Sequence, residues 1–288
     1  MNHFLPLATL MDMIQLLAID LDDTLLTEDL DISMKNRKAV RAAEAAGVTV
    51  LLASGRTLFS MRRYGRELDM WRRSGYMIAN NGATVISTST EEVVLEKPLE
   101  PALGMQVWEI VQGHGLTMQY YGEGDIYVSG PSEYTERDCL LTGQRWHQVD
   151  SFAASLTIPR TKFVIPGEPE VLPAVEKDLK NSLGERANIF TSKPYFLEVL
   201  RADADKGTAL AYVAKELGIE SGEVMAIGDS MNDFGMLSWA GIGVAMSNAQ
   251  DKIKEIADYV TNFSHEDHGV AEAIERFIPE AFAFSDRS

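Results

Sequence analysis

Five short apolar runs, each followed directly by small or polar residues, constrain the fold of this chain more than any other feature. The runs are four to six residues long and do not alternate with polar residues. Such runs are typical of strands that are buried on both faces of a sheet. They are Leu16–Ile19, Val48–Ala53, Tyr76–Ala79, Val224–Ile227 and Ile242–Ala245.

Helical patterns alternate with these runs. Ser33–Ala46 is rich in alanine and basic residues and stops at Gly47, and Lys206–Leu217 carries apolar residues at helical spacing before Gly218. Strands that alternate with helices predict an α/β fold with a doubly wound, Rossmann-like parallel sheet. Ligands of such folds bind beyond the carboxyl ends of the strands, so we expect the polar segments after the runs to converge on one site.

In the middle of the chain the regular alternation of strand and helix ends, and the pattern becomes typical of an α+β module. A helix is predicted at Pro101–His114 and two strands at Leu116–Tyr121 and Asp125–Ser129. We therefore predict a discontinuous core domain, residues 1–84 and 194–288, with an inserted cap domain at residues 85–193. The apolar run Phe196–Leu200 fits either domain.

Charge narrows the classes of partner. The 288 residues include 26 Lys and Arg against 43 Asp and Glu, which gives a formal net charge of −17. An acidic surface repels phosphate backbones and anionic lipids, so we expect neither nucleic acid nor membrane partners. A small anionic metabolite remains compatible, because a local site can oppose the global field. The sequence does not indicate an oligomeric state.

Cysteine content and the N-terminal residues indicate the cellular compartment. Cys139 is the only cysteine, so no intrachain disulfide can form, which suits a reducing compartment and favours a cytoplasmic protein. Residues 1–13 contain no Lys or Arg and no clear cleavage site, and we predict a non-secretory extension there, with Met11 or Met13 as a possible start.

Two polar segments carry acidic residues. Asp20 and Asp22 lie two positions apart at a strand end and should point to the same side. With a cation to reduce their repulsion, one carboxylate could attack a substrate while the other transfers protons. Asp229, Asn232 and Asp233 offer hard oxygen ligands that suit Mg²⁺. An Asx turn or a helix cap is the structural alternative for both segments.

The other two segments could bind an anion. Ser54, Gly55 and Arg56 combine a hydroxyl, an open backbone N–H and a cation, and the alternative is an ordinary strand-to-helix turn. Lys206 opens a helix, where a cation opposes the helix dipole, so it is either a solvated lysine or a cation aimed at a phosphate. Together the segments predict a site where Mg²⁺ and Lys206 neutralise the acidic residues.

Four segments in this order, DLDDT, ASGR, DKGTAL and GDSMND, resemble the four motifs of the haloacid dehalogenase superfamily. The long insertion between the second and third motifs is similar to that of the Cof-like sugar phosphatases, which carry an α/β cap. NNGA at 80–83 and HEDHGVAEAIERF near the C-terminus also resemble that branch. The resemblance extends from about Ile14 to Phe277.

The resemblance implies catalytic and metal-binding roles. Asp20 would attack phosphorus to form an aspartyl-phosphate, and Asp22 would protonate the leaving alcohol and then activate water. Mg²⁺ would be held by Asp20, the carbonyl of Asp22 and Asp229, with Asn232 and Asp233 as ligands through water or as orienting groups.

It also implies how substrate is bound. Ser54 and Lys206 would hold the phosphoryl oxygens with backbone N–H groups near Leu21 and Gly55. The mouth of the site would include Arg56 and Asn81, with Asn232 close to the substrate. Polar residues of the insertion could contact the leaving group, although a solvated surface role is favoured for each: Glu123, Asp125, Tyr127, Arg145, His147 and Lys162.

The implied activity is that of a Mg²⁺-dependent phosphatase of small phosphorylated metabolites, with sugar phosphates as the expected substrates. A phosphomutase or phosphotransferase on the same fold is the nearest alternative. A signalling module that accepts phosphate on Asp20 is the alternative from another class. Against it stands Asp22, which promotes turnover.

Overall fold

The computed structural model describes residues 14–72, 75–122 and 124–282, which fold into two compact units. The first unit is formed by the described residues up to Leu51 and from Ala211 onward, and the second by those between Leu52 and Leu210. The predicted N-terminal extension and Glu123 lie outside the described residues. None of the described helices combines the length and apolar composition needed to cross a bilayer.

Strands and helices alternate through much of the chain, as predicted. The strands are β1 (Leu16–Asp20), β2 (Thr49–Ala53), β3 (Tyr76–Ala79), β4 (Thr84–Ser87), β5 (Val93–Glu96), β6 (Gln119–Tyr121), β7 (Asp125–Val128), β8 (Arg145–Gln148), β9 (Lys162–Pro166), β10 (Ala187–Lys193), β11 (Phe196–Arg201), β12 (Val224–Gly228), β13 (Ile242–Ala245) and β14 (Tyr259–Val260). The helices are α1 (Met34–Ala45), α2 (Leu58–Glu67), α3 (Pro101–Gly113), α4 (Glu133–Thr142), α5 (Phe152–Ser155), α6 (Leu172–Leu183), α7 (Lys206–Leu217), α8 (Phe234–Trp239), α9 (Asp251–Ile256) and α10 (Gly269–Phe277).

The first unit is built on a parallel sheet in which the strands lie in the order β14, β13, β12, β1 and β2. Strand β1 pairs with β12 so that Leu16 lies beside Val224, and every residue of both strands is buried. Burial on both faces explains why these strands appear in the sequence as continuous apolar runs. The predicted α/β fold class is confirmed.

Helix α1 shows how local sequence sets the ends of an element. The Ser33 hydroxyl accepts the Asn36 N–H at the start, and Gly47, with φ of +99°, follows the last turn. Helix α10 packs against α1, where the Ala271 N–H donates to the buried Asn36 side chain at 3.1 Å. These contacts fix both helices beside the loop that leaves β1.

The second unit begins within β2 and continues with an antiparallel arrangement. Strand β3 pairs with β4, and β4 with β5. The chain reverses in a tight turn at Asn80–Gly82, where Asn80 and Asn81 adopt φ of +50° and +51°. The sequence predicted only parallel strands in the core sheet, and this turn is too short for the crossover that a parallel pair requires.

A second, six-stranded sheet lies in the same unit, in the order β10, β11, β9, β6, β7 and β8. Its pairs are antiparallel except for β7 with β8. The segment Phe196–Leu200, which fitted either predicted domain, lies in β11 between β9 and β10. The predicted limits of the core and cap, 84/85 and 193/194, remain predictions.

Candidate active site

The loop after β1 places the first acidic residues. Asp20 is the last residue of the strand and is only 4% exposed. A single wide helical turn, Leu21–Leu25, follows, in which Asp22 is half-buried and Asp23 is exposed with φ of +57°. The left-handed conformation suits an aspartate better than most other residues. It allows the chain to turn directly after the strand.

Thr24 lies in the same turn and was not singled out from the sequence. Its side chain is fully buried, and its hydroxyl donates to Oδ1 of Asp229 at 3.3 Å. The contact connects the loop after β1 to the loop after β12. Its position in DLDDT, directly after an apolar strand, could have indicated this role. A threonine there is expected to be buried, and a buried hydroxyl needs a hydrogen-bond partner.

The loop after β12 is held by Asp233. Its Oδ2 accepts the backbone N–H groups of Asp229 and Ser230, each at 3.0 Å. Gly228 is needed here, since a Cβ at that position would lie 2.6 Å from the Asp233 side chain. Asn232 accepts the Ser230 hydroxyl at 2.9 Å through Oδ1. The predicted helix-cap role of this segment is therefore real, and it coexists with a cluster of acidic side chains.

Three predicted ligands come together in the first unit. Asp20, Asp229 and Asp233 each offer a carboxylate oxygen, and these oxygens lie within 4.8 Å of one another. Carboxylates this close and this buried repel strongly unless a cation lies between them. Oxygen donors of this kind match the preference of Mg²⁺. The donor set therefore fits the metal, while the parts assigned to Asp22 and Asn232 remain predictions.

In the second unit, Ser54 follows β2 and is fully buried. Its N–H donates to Ile78 and its carbonyl accepts the N–H of Asn81 at 3.0 Å. Its hydroxyl oxygen accepts the N–H of Arg56 at 3.1 Å. The second motif and the NNGA turn are thus joined through the backbone of Ser54, and the side chain of Asn81 packs directly against Gly55.

Lys206 opens α7 and has no exposed surface, so the alternative of a solvated lysine is wrong. The residue before it, Asp205, lies against the NNGA turn. Gly82 has φ of +92°, and a Cβ there would overlap the Asp205 backbone. The second unit therefore groups Ser54 and the start of α7, predicted to bind the phosphoryl group, with Asn81, predicted at the mouth of the site.

Two cationic side chains of this unit have protein partners. Nη1 of Arg56 donates to the carbonyl of Leu141 at 2.9 Å. Lys162, for which a solvated surface role was favoured, is instead only 5% exposed, so that prediction was wrong. Its ammonium contacts Glu198 at 3.3 Å and donates to the carbonyl of Gly55 at 3.0 Å. The error arose because burial of a lysine depends on partners that are distant in sequence.

Comparison with known proteins identifies the family. A family model described as haloacid dehalogenase-like hydrolase matches residues 17–274. The chain belongs to the haloacid dehalogenase-like hydrolase family. The resemblance to its Cof-like branch, inferred from the motifs, is confirmed.

Relatives of this hydrolase are named as phosphatases. The chain is 34% identical to the 5-amino-6-(5-phospho-D-ribitylamino)uracil phosphatase YcsE of Bacillus subtilis (strain 168), over 92% of this chain and 96% of that protein. It is also 31% identical to the HMP-PP phosphatase of Cronobacter sakazakii (strain ATCC BAA-894), over 84% of this chain and 87% of that protein. This haloacid dehalogenase-like hydrolase is thus an enzyme of phosphatase type.

Solved structures agree with the fold. A haloacid dehalogenase-like hydrolase from Bacteroides thetaiotaomicron matches with a TM-score of 0.86 and 32% identity, over 91% of this chain and 99% of that one. The subclass IIB sugar phosphatase BT4131 matches with a TM-score of 0.79 and 25% identity, over 91% of this chain and 98% of that one.

Proposed function

We propose that this hydrolase is a Mg²⁺-dependent phosphatase of small phosphorylated metabolites, with sugar phosphates as the substrate class. The observation that carries the proposal is the group of three carboxylates, Asp20, Asp229 and Asp233, in a chain of this family. Similarity to BT4131, named a sugar phosphatase, supports the substrate class. YcsE is named for a substrate that carries a phosphorylated ribityl chain, which is also a polyol phosphate.

In the proposed reaction, Asp20 attacks phosphorus and forms an aspartyl-phosphate, while Asp22 gives a proton to the leaving alcohol. Asp22 then takes a proton from water, which hydrolyses the aspartyl-phosphate and releases phosphate. Asp20 is at the rigid end of a buried strand, which limits its freedom to leave the attacking position. Asp22 is half-buried, so its carboxyl group can reach water, as a group that exchanges protons with water requires.

Mg²⁺ would be held by Asp20, Asp229 and the carbonyl of Asp22, with Asp233 and Asn232 as orienting groups or ligands through water. The metal supplies charge that offsets the phosphoryl oxygens and the carboxylates. Thr24 orients Asp229 from the protein side. Asp233 would act near the metal and also accepts two backbone hydrogen bonds that keep the loop after β12 in place.

Phosphate would be bound by Ser54 and Lys206, with backbone N–H groups at Leu21 and Gly55 and with Arg56, Asn81 and Asn232 near the substrate. The burial of Lys206 at the start of α7 supports its part, since a cation shielded from water attracts an anion more strongly than a solvated one. The core and cap division at 84/85 and 193/194 and a cytoplasmic location belong to the same proposal.

Phosphate release separates the proposed function from its alternatives. We expect the purified protein with Mg²⁺ to release inorganic phosphate from at least one member of a panel of sugar phosphates, and to lose this activity in EDTA. A stable phosphorylated protein without turnover would indicate a signalling module instead. An isomerised sugar phosphate without free phosphate would indicate a mutase, and activity that survives chelation would contradict the metal role.

A further inference from the structure

Lys162 lies in the middle of a buried polar cluster that the proposed chemistry does not use. In β9, Lys162 and Val164 alternate with Phe163 and Ile165, and the latter two belong to the apolar core shared with α3 and α6. Side chains of a strand alternate between faces, so Lys162 lies on the opposite face. There its ammonium contacts Glu198 at 3.3 Å and stands 5.0 Å from the centre of the Tyr121 ring.

A buried ion pair of this kind is poor evidence for a purely stabilising role. Removing two charges from water costs several kcal/mol for each ion, and apolar residues of similar volume often give equal or greater stability. Lys162 and Glu198 are only 5% and 8% exposed. We therefore expect the pair to have a role other than stabilising the fold, and the third contact of Lys162 indicates one.

That third contact is with the carbonyl of Gly55, which accepts from Nζ of Lys162 at 3.0 Å. The same peptide unit contributes the N–H of Arg56, which donates to the hydroxyl oxygen of Ser54 at 3.1 Å. A peptide unit is planar, so fixing its carbonyl also fixes the direction of its N–H. Lys162 is thus connected, through one rigid plane, to the hydrogen bond that the Ser54 hydroxyl oxygen accepts.

The direction of that hydrogen bond has a chemical consequence. The Ser54 oxygen accepts the Arg56 N–H through one lone pair, which restrains the side chain and leaves the O–H as its donor group. A donor is what a phosphoryl oxygen needs from a serine. Rotation of the Gly55–Arg56 peptide plane would remove this restraint and let the Ser54 side chain take other rotamers.

We propose that Lys162 is a positioning residue for phosphoryl binding, which acts by fixing the Gly55–Arg56 peptide plane and through it the Ser54 hydroxyl. The inference rests on the proposed function. It adds a residue outside the four motifs, about a hundred residues from Ser54 along the chain, on which the geometry of the second motif depends. Glu198 keeps the ammonium in place and compensates its charge.

The test is a double-mutant cycle on kcat/KM for a sugar phosphate that the wild type hydrolyses. Lys162→Met should lower kcat/KM by about 10- to 100-fold, because small misplacements of binding groups are costly. In a Ser54→Ala background the same substitution should lower kcat/KM no more than about twofold, because the hydroxyl through which Lys162 acts is absent. Lys177→Met, which removes an exposed lysine of the same unit, serves as the control and should retain wild-type activity.

A second variant separates an effect on activity from an effect on folding. Lys162→Met alone leaves the buried Glu198 without its partner, whereas Lys162→Met combined with Glu198→Gln removes both charges. This double variant should unfold near the wild-type temperature and still show the lowered kcat/KM. Wild-type kcat/KM in it would overturn the inference, and so would equal losses from Lys162→Met with and without Ser54.

Failure of the proposed function gives a different result. If the wild type releases phosphate from no ester, the proposed function fails, and the inference is decided by calorimetric titration with inorganic phosphate. We expect the double variant to bind phosphate about tenfold more weakly than the wild type. Unchanged affinity, or no binding by the wild type, would overturn the inference.

Discussion

Gly82 shows how one residue can determine the placement of a site. Its φ of +92° and the closeness of the Asp205 backbone exclude a side chain. Gly143 has a similar φ of +73° and has no atom within 4 Å of the position a Cβ would take. The two glycines share the conformational requirement and differ in the space around them, so they form a matched pair.

Gly82→Ala should therefore lower the free energy of unfolding by about 2 to 4 kcal/mol, from conformational strain and overlap together. Gly143→Ala should cost only about 1 kcal/mol, from the left-handed conformation alone. Only Gly82→Ala should also lower kcat/KM, because Asp205 directly precedes Lys206. Urea denaturation and initial rates measure both effects, and equal destabilisation by the two substitutions would contradict the close contact.

Thr24 allows a second test on single residues. Thr24→Val keeps the shape of the side chain and removes the donor to Asp229. We expect the affinity for Mg²⁺ to fall about tenfold, as for other residues that orient metal ligands. Thr24→Ser keeps the hydroxyl and should bind nearly as tightly as the wild type. Calorimetric titration with Mg²⁺ decides the point, and wild-type affinity in Thr24→Val would contradict it.

The chemistry of single residues could be predicted only in part from the sequence. Asp20 ends the buried strand β1, Asp229 and Asp233 follow the buried strand β12, and the parallel register of the two strands brings the three together as the pattern indicated. Lys162 could not be placed, because its partners Gly55 and Glu198 lie 107 and 36 positions away in the sequence. Contacts of that range depend on tertiary packing and have no local signal.

At the scale of elements, burial on both faces made the core strands easy to predict. Strand β8 (Arg145–Gln148) is largely exposed, and its polar composition contains no apolar run to detect. Strand β5 is only partly buried, and its apolar run, Val93–Leu95, is three residues long between acidic residues. Asn81–Gly82 lies between two apolar runs and is a hairpin signal, so the antiparallel pairing of β3 with β4 could have been predicted. The prediction missed it because NNGA was interpreted only as a family motif. Pairing partners were thus predicted less completely than strand positions.

Helix α4 and strand β6 share a polar contact with a pH-dependent consequence. Oδ2 of the buried Asp138 accepts from the Gln119 amide and from the Tyr121 hydroxyl, both at 2.6 Å. Burial raises the pKa of Asp138 despite these hydrogen bonds and the nearby Lys162. Burial and the Asp138 carboxylate also raise the pKa of Tyr121.

The sign of the effect on stability follows from the raised pKa of Asp138. Between the pKa of the unfolded chain, about 4, and the higher pKa of the folded protein, the folded state binds more protons. The free energy of unfolding contributed by Asp138 is therefore highest below this window and falls as pH rises through it. Asp138→Asn removes this titration.

The difference in unfolding free energy, Asp138→Asn minus wild type, should accordingly become more positive as pH rises from about 4 to about 8. Urea denaturation at several pH values measures it. Asp150→Asn, an exposed residue of the same unit, controls for the loss of one negative charge. A difference that stays constant or falls with pH would contradict the effect of burial on Asp138.

At the scale of the whole molecule, four short motifs far apart in the sequence identified the family, and the match over residues 17–274 supports them. Each motif alone had an ordinary structural explanation, and the loop after β12 indeed uses Asp233 as a cap. Caps and ligands are compatible, because a carboxylate has two oxygens and several lone pairs. A net charge of −17 is likewise compatible with an anionic substrate if the buried Lys206 binds phosphate as proposed.

The most direct measurement is the rate of inorganic phosphate release from a sugar phosphate by wild type, Asp20→Asn and Asp23→Asn, all with Mg²⁺. Asp20→Asn should lose at least about a thousandfold, because an amide cannot replace the attacking carboxylate. Asp23→Asn makes the same chemical change three residues on, at an exposed position with φ of +57° that asparagine accepts, and it should remain active. Near-normal phosphate release by a folded Asp20→Asn protein would contradict the account.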